Sequence, residues 1–141
     1  MISPYKSQVR KVKNNLGPIC RKQGVSPFDT IEVNTVDAFQ GREKDVIIFN
    51  CVRANSEKQL GFLTDERRLN VAITRPKHLL YILGNSRTLN NSDIWASMLA
   101  SVRTIQIDKA TIGNCLRDPK LIKDIVTGAQ KSVNVQEDRV E

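Results

Sequence analysis

Two short stretches carry residue types that core packing does not call for. The first is VDAFQGREKD, residues 36–45, a polar turn centred on Gly41 and set against the apolar run VIIFNCV. The second is RRLNVAITR, residues 67–75, a helix-like segment with arginines at both ends. A buried strand needs no Gln-Gly-Arg-Glu lead-in, and a core helix rarely carries Arg67, Arg68 and Arg75. Polar turns at strand ends are where α/β proteins place ligand chemistry. A glycine such as Gly41 lets the backbone approach a ligand closely. A glutamate such as Glu43 accepts hydrogen bonds from hydroxyls. A guanidinium such as that of Arg75 stabilises charge developing on an oxyanion. The competing reading is a salt bridge to Asp65 or Glu43, which suits Arg67 and Arg68 better than Arg75.

Positioning these groups falls to the elements around them. Tyr5, Val9, Val12 and Leu16 recur at the spacing of one helix face. Lys6, Arg10 and Lys13 share another face, which reads either as a solvated flank or as a grip on a polyanion. Gly17-Pro18 is expected to stop this helix, and residues 19–29 read as a polar loop around Gly24 and Pro27. Thr30–Asn34 alternates as a short strand, and a single helical turn is expected at Asp37–Phe39. Val46–Val52 is a continuous apolar run interrupted by Asn50, which suits a strand buried on both faces. Residues 55–61 read as a loop. Thr64 is expected to cap the next helix, with Asp65 and Glu66 in its first turn. Leu69, Ala72 and Ile73 form its inward stripe, and Pro76 ends it. Leu79–Leu83 reads as a strand closed by Gly84-Asn85. Asp93 is expected to cap a helix over Ile94–Val102, with Ile94, Trp95, Met98, Leu99 and Val102 inward. From Arg103 the apolar pattern thins. Leu116–Ile125 reads as a weak helix and Lys131–Glu141 as a disordered tail. Strands alternating with helices predict an α/β fold on a parallel sheet.

Composition sets the outer bounds. A chain of 141 residues makes one small domain with a modest core. Its net charge of +7 favours a polyanionic partner, with an inert basic surface as the alternative that composition leaves open. Cys20, Cys51 and Cys115 lie far apart, no CxxC pair occurs and His78 is the one histidine, which leaves no zinc ligand set. Reduced thiols in an intracellular protein are expected, with Cys51 a small core residue. No apolar run approaches the roughly 20 residues of a membrane span. Lys6, Arg10 and Lys11 interrupt the start before any signal-like stretch.

ISPYKSQ at residues 2–8, TVDAFQGREKDVIIFNCVRAN at 35–55 and GFLTDERRLNVAITR at 61–75 occur in that order. They resemble motifs IV, V and VI of the superfamily 1 helicases, in the group containing senataxin and the nonsense-mediated-decay RNA helicase. The resemblance runs from Ile2 to about Trp95. It implies the second RecA-like lobe of an ATP-dependent RNA or DNA helicase, an open parallel sheet with helices on both faces, over residues 1–103. Residues 104–141 are a weakly patterned extension, partly disordered. In that family an apolar strand leads into the first motif, so the lobe is expected to be incomplete at its start.

The resemblance also implies roles. Arg75 takes the place of the arginine finger, and Arg68 supports the same anionic site. Glu43 approaches the ribose hydroxyls of ATP, Gly41 lets the backbone come close, and Gln40 meets a phosphate or an ordered water. Ser3 and Thr35 give hydroxyls to nucleic-acid phosphates, and Arg53 couples that groove to the nucleotide site. Lys6, Arg10 and Lys13 add charge for single-stranded RNA or DNA. Tyr5 is a core residue sooner than a base-stacking one. Position 76 departs from the family pattern, because Pro76 disfavours helical geometry at Arg75. No GxxxxGK[ST] loop occurs, nor the Asp-Glu pair that would hold Mg2+. In the family both lie in the first lobe, which would therefore be the partner that binds most of the ATP and Mg2+. The chain alone is expected not to hydrolyse ATP. The whole enzyme would work on strands 5′ to 3′, in the nucleus or the cytoplasm. Two rival readings stand beside this one. The first is a non-enzymatic module that holds single strands or a protein. The second is a gene remnant.

Overall fold

Four strands form one sheet in the computed structural model of the chain: β1 (Ile2–Ser3), β2 (Asn34–Thr35), β3 (Lys44–Asn50) and β4 (Pro76–Leu83). Their order is β2-β1-β3-β4, and every neighbouring pair runs parallel. Ile2 lies opposite both Asn34 and Phe49, and Val46, Ile48 and Asn50 lie opposite Leu79, Tyr81 and Leu83. This is a RecA-like α/β sheet, as expected. The structure describes residues 1–22, 24, 26, 31–55, 57 and 59–118. It divides into two compact units, Met1–Ala100 and Ser101–Glu141.

Five helices accompany the strands among the described residues: α1 (Lys6–Lys22), α2 (Glu66–Thr74), α3 (Ser86–Leu89), α4 (Asp93–Ser101) and α5 (Lys109–Arg117). Two 3₁₀ turns, Asp37–Phe39 and Gly61–Thr64, lie between strands. α1 packs against β1 and β2, and α2 packs against β4 and the second 3₁₀ turn. The main core joins Ile2, Phe39, Ile47, Phe49 and Ala72 with Trp95 from α4, all almost wholly buried. The Trp95 ring stacks on Phe49 at 6.2 Å, and its Nε1–H donates to the Leu63 carbonyl at 2.8 Å. The buried indole therefore keeps its one polar group satisfied.

Several expectations need correction. α1 runs through Gly17 and Pro18 to Lys22. The buried seam carries on past Leu16 to Gly17 and Cys20, and packing there outweighs the hydrogen bond that Pro18 removes. Residues 19–22 are therefore helical and not part of a loop. The strand expected over 30–34 is only Asn34–Thr35, and Thr30 lies outside the described residues. β3 is buried on one face only. Ile47 and Phe49 are inside, whereas Val46 and Ile48 are 50% and 37% exposed. In α2 the cap is Asp65, whose carboxylate accepts from the N–H groups of Arg67 and Arg68 at 3.1 and 3.3 Å. Thr64 closes the preceding 3₁₀ turn instead. Ile73 faces outward and Val71 joins the core margin. Ile94 and Val102 are likewise exposed, while Met98 and Leu99 pack inward.

Two short helices had no counterpart in the sequence reading. α3 is capped by Asn85, which accepts from Thr88 N–H at 3.0 Å. α5 is capped by Asp108, which accepts from Thr111 N–H at 2.6 Å. From residue 119 onward, the expected helix to Ile125 and the tail Lys131–Glu141 lie outside the described residues.

Candidate functional site

Parallel strands put all their amino ends on one edge of the sheet and all their carboxyl ends on the other. The expected site residues divide between these two edges.

The amino edge carries the turn 40–43 and Arg75. Lys44 N–H donates to the Arg75 carbonyl at 3.2 Å, so Glu43 and Arg75 flank a shared backbone bond where β3 and β4 begin. Gly41 has φ +77, and a Cβ there would meet nothing within 4 Å. The glycine serves the turn's left-handed backbone, and the space beside it is open. Gln40 and Glu43 are exposed. Glu32 takes the nearby positive charges, pairing with Arg42 and, at 3.5 Å, with Lys44. Burial alone would raise the Glu32 pKa. The hydrogen bond from Asn34 and the charges of Arg42 and Lys44 together hold it below the usual carboxylate value. Glu43 is left without an ion-pair partner among the described residues.

Arg75 is half-buried, and its Nη2 donates to Thr74 Oγ1 at 3.2 Å. Its Nε is buried with no hydrogen-bond partner among the described residues. No carboxylate among the described residues neutralises it there. A guanidinium held in place with unused donors is a ready anion ligand. Pro76 does not drive it from helical geometry, since Arg75 keeps φ −83 and ψ −29 as the last turn closes. Arg68 is differently placed. It donates to both Asp37 oxygens at 3.0 and 3.2 Å and lies 3.6 Å from Asp65. The Asp37 hydrogen bond, above all, raises its pKa further. The structure thus gives Arg68 an ion pair with Asp37, thirty-one residues away, and does not bring it to Arg75.

The carboxyl edge carries the expected strand-binding residues. Thr35 Oγ1 accepts from Ala38 N–H at 3.3 Å, two residues ahead of the first 3₁₀ turn, leaving its own O–H free to donate. Lys6 and Arg10 are exposed on α1, and Lys13 is half-buried. Ser3 is 1% exposed, and its Oγ makes only a long 3.5 Å contact with Tyr5 N–H. Its hydroxyl faces the interior and does not present itself to a phosphate in solution.

Arg53 sits just past β3. The chain reaches it through Val52, whose φ of 67 is rare for a β-branched residue. Val52 is the centre of a tight turn closed by Arg53 N–H to the Cys51 carbonyl at 2.7 Å, a strained γ-turn form. Arg53 Nε donates to Tyr5 Oη at 2.7 Å, and its guanidinium lies 5.2 Å from the Tyr5 ring centre. Tyr5 meets Phe62 edge to face at 5.5 Å, and Arg68 lies 4.9 Å over the Phe62 ring. Gly61 backs onto this group with φ +55. A Cβ there would come within 2.9 Å of both Tyr5 Oη and Arg53 Nη2. Asp37, Gly61 and Phe62 were not singled out from the sequence. The signal lay in GFL, where a glycine precedes an aromatic residue between two polar runs.

Among the described residues no group of three or more His, Cys, Asp or Glu could hold a metal ion. None of the described helices is long and apolar enough to cross a membrane.

The sheet and its polar edges define a class. A family model described as an AAA domain matches residues 1–87, and the chain belongs to that family. Three relatives sharpen the match. The chain is 46% identical over 99 residues to Helicase sen1 of Schizosaccharomyces pombe, covering 70% of this chain and 6% of that protein. It is 36% identical over 124 residues to Regulator of nonsense transcripts 1 of Dictyostelium discoideum, covering 87% of this chain and 9% of that one. It is 56% identical over 73 residues to the ATP-dependent helicase NAM7 of Saccharomyces cerevisiae, covering 52% of this chain and 8% of that one. The chain is a helicase-type domain of the senataxin and nonsense-mediated-decay group. It spans less than a tenth of the length of each of these relatives.

Proposed function

We propose that this chain is the second motor lobe of an ATP-dependent helicase, and that it supplies the arginine finger to a nucleotide bound mainly by a first lobe. One observation carries the reading. Arg75 is fixed at the start of β4 with a buried, unsatisfied Nε and no neutralising carboxylate among the described residues. A guanidinium with no carboxylate partner keeps its charge and its remaining donors for an incoming anion. Glu43, without an ion-pair partner among the described residues and one position before the Lys44 N–H that meets the Arg75 carbonyl, suits the ribose hydroxyls, and Gln40 with the open turn at Gly41 suits a phosphate or its water. Magnesium would arrive with the phosphates and be held by the first lobe. When the lobes close, the Arg75 guanidinium would stabilise charge on the γ-phosphate oxygens as the bond to the leaving oxygen breaks. Thr35, Arg53, Lys6, Arg10 and Lys13 would hold single-stranded RNA or DNA at the other edge through its backbone.

The test is single-turnover ATP hydrolysis with saturating single strand in a two-lobe enzyme containing these residues. Arg75→Ala should lower turnover by about three orders of magnitude, with a smaller change in nucleotide affinity. Arg75→Lys should restore little, because an ammonium lacks the planar fork. Glu43→Gln should weaken apparent ATP affinity more than turnover. Hydrolysis by Arg75→Ala at near the parent rate would refute the finger assignment. The 141-residue chain alone should release phosphate no faster than the buffer blank.

A further inference from the structure

A row of side chains leads from Arg53 to the first turn of α2. Arg53 at the carboxyl edge holds Tyr5, Tyr5 meets Phe62, and Phe62 lies under Arg68. Arg68 stands in the first turn of α2, with its guanidinium plane fixed by two hydrogen bonds to Asp37. Arg75 closes the same helix seven residues later, about 10 Å along its axis.

We propose that Tyr5 and Phe62 are positioning residues that pass the state of Arg53 to Arg68, and through α2 to Arg75. The inference rests on the proposed function, since it takes Arg53 to meet a strand phosphate and Arg75 to meet a nucleotide. Its physical basis is one guanidinium shared between two partners. Arg53 Nε donates to Tyr5 Oη, so a phosphate that draws on the remaining Nη donors pulls on a guanidinium already bonded to Tyr5. The Tyr5 ring meets the Phe62 ring in an edge-type contact at 5.5 Å, and Gly61 lies beside its hydroxyl, where an added Cβ would come within 2.9 Å of Oη. Phe62 is 50% exposed, so a ring kept for burial alone would be poorly used here. Its ring meets the Arg68 guanidinium and the Tyr5 ring. Arg68 and Arg75 belong to one nine-residue helix and its C-cap, and that helix is the route by which a displacement at Arg68 would reach Arg75. The strained turn at Val52 fixes where the input residue begins.

The experiment follows the arginine Nε–H resonances of the isotope-labelled 141-residue chain during titration with a short oligouridylate. The parent should show shifts at Arg53, Arg68 and Arg75 that saturate together. In Phe62→Leu the Arg53 shift should persist, while those of Arg68 and Arg75 are lost. Phe62→Tyr, which keeps the ring, should restore them. Tyr5→Phe removes only the acceptor oxygen and should also silence Arg68 and Arg75, which gives a second route should Phe62→Leu unfold. Shifts at Arg68 that are unchanged in both Phe62→Leu and Tyr5→Phe would overturn the inference. So would a parent in which Arg53 responds and Arg68 does not. A parent in which Arg53 itself is silent would overturn the strand-binding part of the proposed function, and this inference with it.

Discussion

Val52 pays for the position of Arg53. A β-branched residue at φ 67 stores strain of about 1–3 kcal/mol. Val52→Gly should therefore raise the stability of the chain by about 1 kcal/mol in denaturant unfolding, since glycine takes that backbone freely. It should also let Arg53 wander from Tyr5, seen as weaker protection of the Arg53 Nε–H. A loss of stability instead would mean that the Val52 side chain contributes packing which its 41% exposure does not suggest. Cys51, one residue earlier, is of the opposite kind. Burial pushes its thiol up to about 12, so it stays protonated and unreactive at neutral pH. Strain and burial thus sit side by side at the end of β3, one serving the site and the other the core.

Among the elements, the segment leading into β2 is tied to the start of β3 by Glu32, through Arg42 and Lys44, and Asn34 of β2 donates to the same carboxylate. The folded pKa of Glu32 lies below its model-peptide value of 4.5. Its contribution is therefore complete above that value and is lost as pH falls through the lowered one. Glu32→Gln should cost up to about 1 kcal/mol near pH 7, because the cationic partners are half exposed and screened. The difference from the parent should vanish in strong acid, measured by urea unfolding across pH. A gap that persists at low pH would assign the cost to packing. The elements also mark what a sequence can and cannot disclose. The turn at Asp37–Phe39 and the segment 64–75 were readable because turn residues, caps and apolar spacing are local. The continuation of α1 beyond Pro18 was not, because the burial of Cys20 against the sheet is a tertiary gain that no window reports. Arg75 and Glu43 were legible as candidates from residue type and motif. The partners that distinguish a free guanidinium from a neutralised one were not. Arg68 finds Asp37 thirty-one positions away, and Arg53 finds Tyr5 forty-eight positions away.

At the scale of the molecule the net charge of +7 would govern the proposed encounter with nucleic acid. Binding of the isolated chain to single strands should be independent of sequence and should weaken with salt. Each neutralised phosphate should add about −0.7 to the slope of log affinity against log salt. Arg10→Ala should make the slope shallower by one such step, and affinity indifferent to salt would refute the electrostatic account. The open face of β3 and β4 adds a complication of its own. Val46, Ile48, Leu79 and Leu83 leave 37–50% of their surface in water on a patch of adjacent strands. Salts that are excluded from protein surfaces strengthen the self-association of such a patch. A sulfate titration would therefore confound two processes, strand release and clustering of the protein. Chloride with light scattering recorded alongside would separate them, which makes the choice of anion part of the measurement.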